Sequence, residues 1–148
     1  MGSWRSAAAE PGAGRGTVFA ASLLLPLAGL ALHLLGVRRA LRLFAGDLRF
    51  AGVSAPQAAE RVARDVERAG REYSPYPVDC LVRSLVVVWL LRRRGIAAEF
   101  RLGVRTLTGR FEAHAWVEHG GVPLGEDADV ARVFDAFEFP AAGALRSR

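Results

Sequence analysis

From Thr17 to Gly36 the chain is apolar at almost every position, interrupted only by Ser22, Pro26 and His33. A run of this length would just span a bilayer. Pro26 and Gly29 fall inside it, however, and the apolar spacing continues amphipathically through Val37, Leu41 and Phe44, among Arg38, Arg39 and Arg42. The pattern predicts two helical pieces, with Pro26 in the first turn of the second, acting as core or membrane-surface helices. A signal peptide does not fit, because the leading segment is long and no small-x-small site precedes the arginines. Residues 1–16, rich in Ala, Gly, Ser and Arg, predict a disordered start.

Gly46 and Gly52 punctuate a short connection. Ser54 then has the character of an N-cap, and Pro56 to Ala69 sets Ala58, Val62, Ala63 and Val66 on one face, with Gly70 as a stop. Pro75 and Pro77 predict an extended approach to Cys80. Leu81 to Arg94 is apolar nearly all round and ends in arginines and Gly95, so it predicts a central, buried helix. Alternation follows. Ala98 to Thr106 reads as a strand, Thr108-Gly109 as a turn and Phe111 to Glu118 as a second strand. His119-Gly120-Gly121 then makes a hairpin into Val122 to Leu124. A last short helix is expected within Asp129 to Phe139. Helices followed by an antiparallel meander define an α+β class. The expected organisation is a disordered 1–16, an apolar helical 17–52 and a core at 53–148, forming one domain.

Composition changes this picture little. The chain has 148 residues, 51% of them hydrophobic and 24% charged, as suits a folded domain. A net charge of +5 rests entirely on arginine, since lysine is absent. The arginines lie in helix-like segments among apolar positions, and no strand interleaves aromatic with basic residues, so no nucleic-acid partner is expected. An acidic peptide suits the charge as well, and the arginines near the apolar run leave membrane-surface contact open. A single cysteine excludes an intramolecular disulfide and a metal site built on a Cys pair. No cofactor or metal is expected.

That cysteine sits where an extended segment becomes a buried helix. Free backbone N–H groups and the helix dipole would favour a thiolate there, with Asp79 as the cap. A nucleophilic thiol needs a proton acceptor that can later donate, and His114 is placed mid-strand in Glu112-Ala113-His114-Ala115-Trp116-Val117-Glu118. Alternation puts His114 on one face with Glu112, Trp116 and Glu118. Glu126 and Asp127 follow the hairpin, where an acid orienting His114 would lie. The same residues also admit plainer readings. Cys80 could be core packing, and Trp116 core. His33 and His119 read as structural, Ser84 as facing the backbone, and Arg83 as pairing with an acid or a substrate carboxylate.

Cys80-Leu81-Val82-Arg83-Ser84-Leu85, Leu90 to Gly95, Arg101-Leu102-Gly103-Val104 and His114-Ala115-Trp116-Val117-Glu118 with Gly121 together resemble the lasso-peptide leader peptidases. These belong to the transglutaminase-like, papain-related superfamily. The resemblance runs from about Ser54 to Phe137. It implies a transglutaminase-like cysteine-protease fold, with the Cys-bearing helix packed on a small antiparallel sheet. Cys80 maps to the nucleophile and His114 to the base. The family's acid is usually Asp, twelve residues after the His. Here that position is Glu126, with Asp127 next, so either could serve. The implied activity is hydrolytic removal of a leader from a precursor peptide through a Cys80 thioester. The implied partners are the precursor, a separate leader-recognition protein and the lasso cyclase. The implied place is the cytoplasm, including its membrane surface. An acyltransferase of the same fold, a non-catalytic peptide-binding module and a membrane-attached scaffold are the alternatives.

Overall fold

Described over residues 13–47, 49–74 and 78–136 in a computed structural model, the chain begins with one long helix where the spacing predicts two. α1 runs from Ala13 to Leu35 straight through Pro26. Pro26 sits on the exposed side of the helix, where the Ser22 carbonyl that lacks a donor is not sealed in the core. The break falls instead at Gly36, whose φ of 77° only glycine adopts freely, and α2 spans Val37–Phe44 beyond it. Helix already begins at Ala13, inside the expected disordered start, and residues 1–12 of that expectation lie outside the described residues.

β1 (Arg49–Phe50) follows, a strand that the sequence pattern does not signal. α3 spans Pro56–Glu72. Its N-cap is Ala55 rather than Ser54, with Pro56 in the first turn, and it continues past Gly70. The cap carries no side-chain bond. Instead, the Ala55 N–H donates to His119 Nε2 at 3.1 Å. α4 spans Cys80–Arg93 and buries the stretch from Ser84 to Val88 together with Leu90 and Leu91. Residues 75–77 of the expected extended approach lie outside the described residues, but Asp79 is extended, at φ −64° and ψ 148°.

The sheet is antiparallel, in the order β1, β2 (Ala98–Leu107), β3 (Arg110–His119), β4 (Val122–Pro123). Ten-residue β2 and β3 form its body, with Leu102 opposite Ala115 and Gly103 opposite His114. After the one-turn helix α5 (Val130–Val133), a short β5 (Asp135–Ala136) returns to pair with β2 at Gly103 and Val104. That return brings the Phe134 ring onto the face that carries His114. The remainder of the expected tail helix, from 137 onward, lies outside the described residues.

One apolar cluster runs from Val18, Ala21 and Leu25 of α1 through Val62 and Val66 of α3 and Leu85 and Leu91 of α4 to Phe100, Ala115 and Val117 of the sheet. α4 touches α1, α2, α3, β2 and β3, as its all-round apolarity requires. Truncating Leu85 or Leu91, both fully buried, to Ala would leave a cavity costing ~2–5 kcal/mol. Trp116 is buried too, but lies outside this cluster.

Candidate active site

β4 pairs with β3 at Glu118 and His119, and the Leu124 N–H just beyond donates to the Val117 carbonyl at 2.9 Å, leaving the β3 edge open around Ala115. The first turn of α4 takes that place. The Ser84 hydroxyl donates to the Ala115 carbonyl at 3.0 Å, and the Ala115 N–H donates to the Cys80 thiol. Both backbone groups of the residue next to His114 are thus held by the Cys80 helix. Cys80 is half-buried at the very start of α4.

Expectation and structure part on the thiol's charge. Burial pushes the Cys80 thiol above its ordinary range, and the neighbouring Asp79 carboxylate, hydrogen-bonded to it, adds to this. The Ala115 N–H and Arg83 act in the opposite direction but are outweighed. Asp79 occupies the cap position without capping the helix. Its carboxylate engages the thiol, so the residue expected to assist a thiolate opposes one.

His114 Nε2 lies 3.0 Å from Glu126 Oε1. A carboxylate there accepts Nε2–H, which fixes the tautomer and leaves Nδ1 as the ring's lone-pair nitrogen. Nδ1 has no hydrogen bond among the described residues. Arg83 Nη2 approaches the same Glu126 oxygen at 3.7 Å, so the arginine near the start of α4 and the histidine of β3 share one acid. The turn that carries Glu126 is tied down by the Gly125 N–H, which donates to Glu60 at 3.4 Å. Asp127 does not join them. It is exposed, and its backbone carbonyl accepts the Val130 N–H at 3.0 Å.

The His114 ring is held on both sides. Trp116 stacks against it, with ring centroids 6.1 Å apart and planes 18° from parallel, as their shared strand face allows. Phe134, brought in by the return to β5, lies 5.2 Å away on a tilt of 31°. Gly103 makes room for both rings. A Cβ there would come within 2.8 Å of Phe134 Cβ and 2.9 Å of the Trp116 ring. Arg105 caps Phe134 at 4.6 Å and is pinned by Glu112 at 2.6 Å. The Trp116 indole N–H donates to buried Glu118 at 3.0 Å, and Arg101 holds that carboxylate at 3.3 Å. Sequence reasoning missed Phe134 and the role of Glu118. The i, i+2 spacing of Trp116 and Glu118 could have suggested the second, but no local signal marks the first.

The other histidines lie apart from this group. His119 is buried, its Nδ1 2.6 Å from the Ala97 carbonyl and its Nε2 accepting from Ala55, and it staples the sheet to the start of α3. His33 is exposed on α1. Among the described residues, no group of three or more His, Cys, Asp or Glu is placed to hold a metal ion.

A half-buried thiol at a helix start, docked on the strand that presents an acid-paired histidine, is the arrangement of the papain-like and transglutaminase-like cysteine enzymes. The family described as the transglutaminase-like superfamily matches residues 21–137, and the chain belongs to it. The match takes in most of α1 as well as the Cys80 helix and the sheet. A search of curated proteins gives no match, and neither does a search of solved structures.

Proposed function

We propose that the chain is a cysteine peptidase that removes the leader from a lasso-peptide precursor, with Cys80 as nucleophile, His114 as base and Glu126 as orienting acid. The observation that carries the chemistry is the His114–Glu126 contact beside the strand residue on which the Cys80 thiol is docked. Support for the substrate comes from the Cys80-to-Leu85 and His114-to-Glu118 motifs, which resemble those of the leader peptidases.

In this reading the resting nucleophile is a thiol, in keeping with its burial beside Asp79. His114 Nδ1 takes the Cys80 proton as sulfur attacks the carbonyl at the leader–core junction. The oxyanion forms near the start of α4, where the Cys80 N–H is one of the first-turn donors that a helix leaves without an internal partner. Collapse breaks the C–N bond, and the His114 proton passes to the departing nitrogen, freeing the core's α-amine. Water, deprotonated by His114, then hydrolyses the leader thioester and restores the thiol. The reaction needs no cofactor. A separate recognition protein delivers the precursor in the cytoplasm, and a cyclase consumes the freed core.

The test is mass spectrometry of a candidate precursor incubated with this protein and its recognition partner, run beside Cys80→Ala. Cleavage at one junction, as leader plus water, lost in the mutant, is the expected result. Leader plus added amine would instead make the enzyme an acyltransferase. The thiol's suppressed ionisation favours one second reading, a peptide-binding module in which Cys80 only packs. That reading predicts identical outcomes for wild type and Cys80→Ala.

A further inference from the structure

α1 is apolar on two opposite faces, and the fold uses only one. Val18, Ala21, Leu25 and Ala28 point inward and are buried against the core. Phe19, Leu23, Leu27, Leu30 and Leu34 point outward, with exposure from 53% at Leu30 to 68% at Leu34. At about 100° per residue, these five fall within roughly an 80° arc, opposite the buried set. An uninterrupted stripe of five large apolar side chains along one helix is not ordinary surface.

The charges around the stripe identify what covers it. α1 and α2 contain no acidic residue, while Arg15 at one end and Arg38, Arg39 and Arg42 at the other are all exposed. Apolar side chains flanked, on their own two helices, by cations and no acid match the requirements of an anionic lipid surface. A second copy of the chain fits less well, because two stacked stripes would gather these arginines with no carboxylate on α1 or α2 to offset them.

α1 is long and apolar enough to cross a bilayer, but its inner face is committed. It packs on α3, whose exposed side carries Arg61, Arg64 and Arg68, and Arg94 donates to Thr17 at 2.6 Å. Crossing would drag those charges into hydrocarbon or strip α1 from the core. We therefore propose that α1 lies in the plane of an anionic membrane surface, with Phe19, Leu23, Leu27, Leu30 and Leu34 in the lipid and Arg38, Arg39 and Arg42 at the headgroups. This docking is independent of the chemistry at Cys80.

The test is co-sedimentation of the full chain with preformed vesicles. We expect binding to phosphatidylcholine containing about one-third phosphatidylglycerol, little binding to pure phosphatidylcholine, and weakening by salt. Arg38→Gln/Arg39→Gln/Arg42→Gln should bind roughly 100-fold more weakly, about fivefold per charge. Leu23→Ser/Leu27→Ser should lose binding while keeping the wild-type thermal midpoint, since both side chains already face outward. Absence of binding, or equal binding to neutral and anionic vesicles, overturns the proposal. So does a solution dimer that Leu23→Ser/Leu27→Ser dissolves, which would make a second copy the occupant.

Discussion

His114 and Phe134 meet ring against ring at 5.2 Å, although twenty residues and two changes of direction separate them in the chain. The contact exists because β5 pairs with β2 directly behind Gly103, and Gly103 has no side chain to keep Phe134 away. Phe134→Ala removes one wall of the His114 site without opening the main core, to which Phe134 does not belong. We expect a roughly tenfold loss of kcat from looser positioning of the imidazole, with a small change in thermal midpoint. Steady-state kinetics beside a melting curve checks this, and unchanged kcat would show the ring to be mere cover.

Gly103→Ala should do more harm than its size suggests. The new methyl would meet Phe134 Cβ at 2.8 Å and the Trp116 ring at 2.9 Å, so one of the two rings must shift. Overpacking of this kind costs ~1–3 kcal/mol. Urea unfolding measures the loss. Combining Gly103→Ala with Phe134→Ala should recover part of it, because the closest obstacle shrinks while the Trp116 contact stays.

Glu126 and Asp127 are separated by substitution to their amides. Glu126→Gln leaves His114 without a carboxylate at 3.0 Å, and single-turnover cleavage should slow by roughly 10²–10⁴-fold. Asp127→Asn touches an exposed side chain and should leave the rate within about twofold. The reverse order would hand the acid's role to Asp127.

The pH dependence of Cys80 follows from its burial. Its pKa in the folded chain is raised from 9.0, so the fold retains a proton that the unfolded chain has already released. The matching stability is complete below the unfolded pKa and is lost as pH climbs through 9.0 toward the folded value. Between neutral pH and about pH 10, the wild type should lose more stability in urea than Cys80→Ala. Iodoacetamide should report the same midpoint as an alkylation rate still rising beyond pH 9.0. Asp79→Asn should move that midpoint down and Arg83→Gln should move it up, as their charges require.

Ser84→Ala leaves the Ala115 carbonyl without its buried donor, at a cost of ~1–3 kcal/mol. Denaturant unfolding gives the figure. Ser84→Thr, which keeps a hydroxyl, separates the hydrogen bond from the volume it occupies.

How much of this was legible in the sequence depends on the range of the interaction. The Cys80 helix and the His114 strand follow from local periodicity, because apolarity all round one segment and alternation along the next are written in consecutive residues. The pairing of His114 with Glu126 was within reach, since a hairpin of fixed length brings the acid back beside the strand. That Glu126 rather than Asp127 faces His114 is set by the conformation of their turn, which no local pattern announces. Local rules failed where tertiary context reversed them. Pro26 does not break α1, Gly70 does not end α3, and Ala55 takes the cap position with its own N–H donated to His119, distant in sequence. Asp79 was misread for a similar reason, because its charge acts on sulfur rather than on the helix end. Phe134 had no local signature at all.

The double engagement of Ala115 limits how such a site can move. With its N–H on Cys80 and its carbonyl on Ser84, the strand beside His114 is bolted to the start of α4, so the thiol and the imidazole are tied through a single residue rather than through two separate loops. Among the described residues the C-terminal return is the lighter attachment, paired to β2 at Asp135 and Ala136 and seated on the His114 face through Phe134.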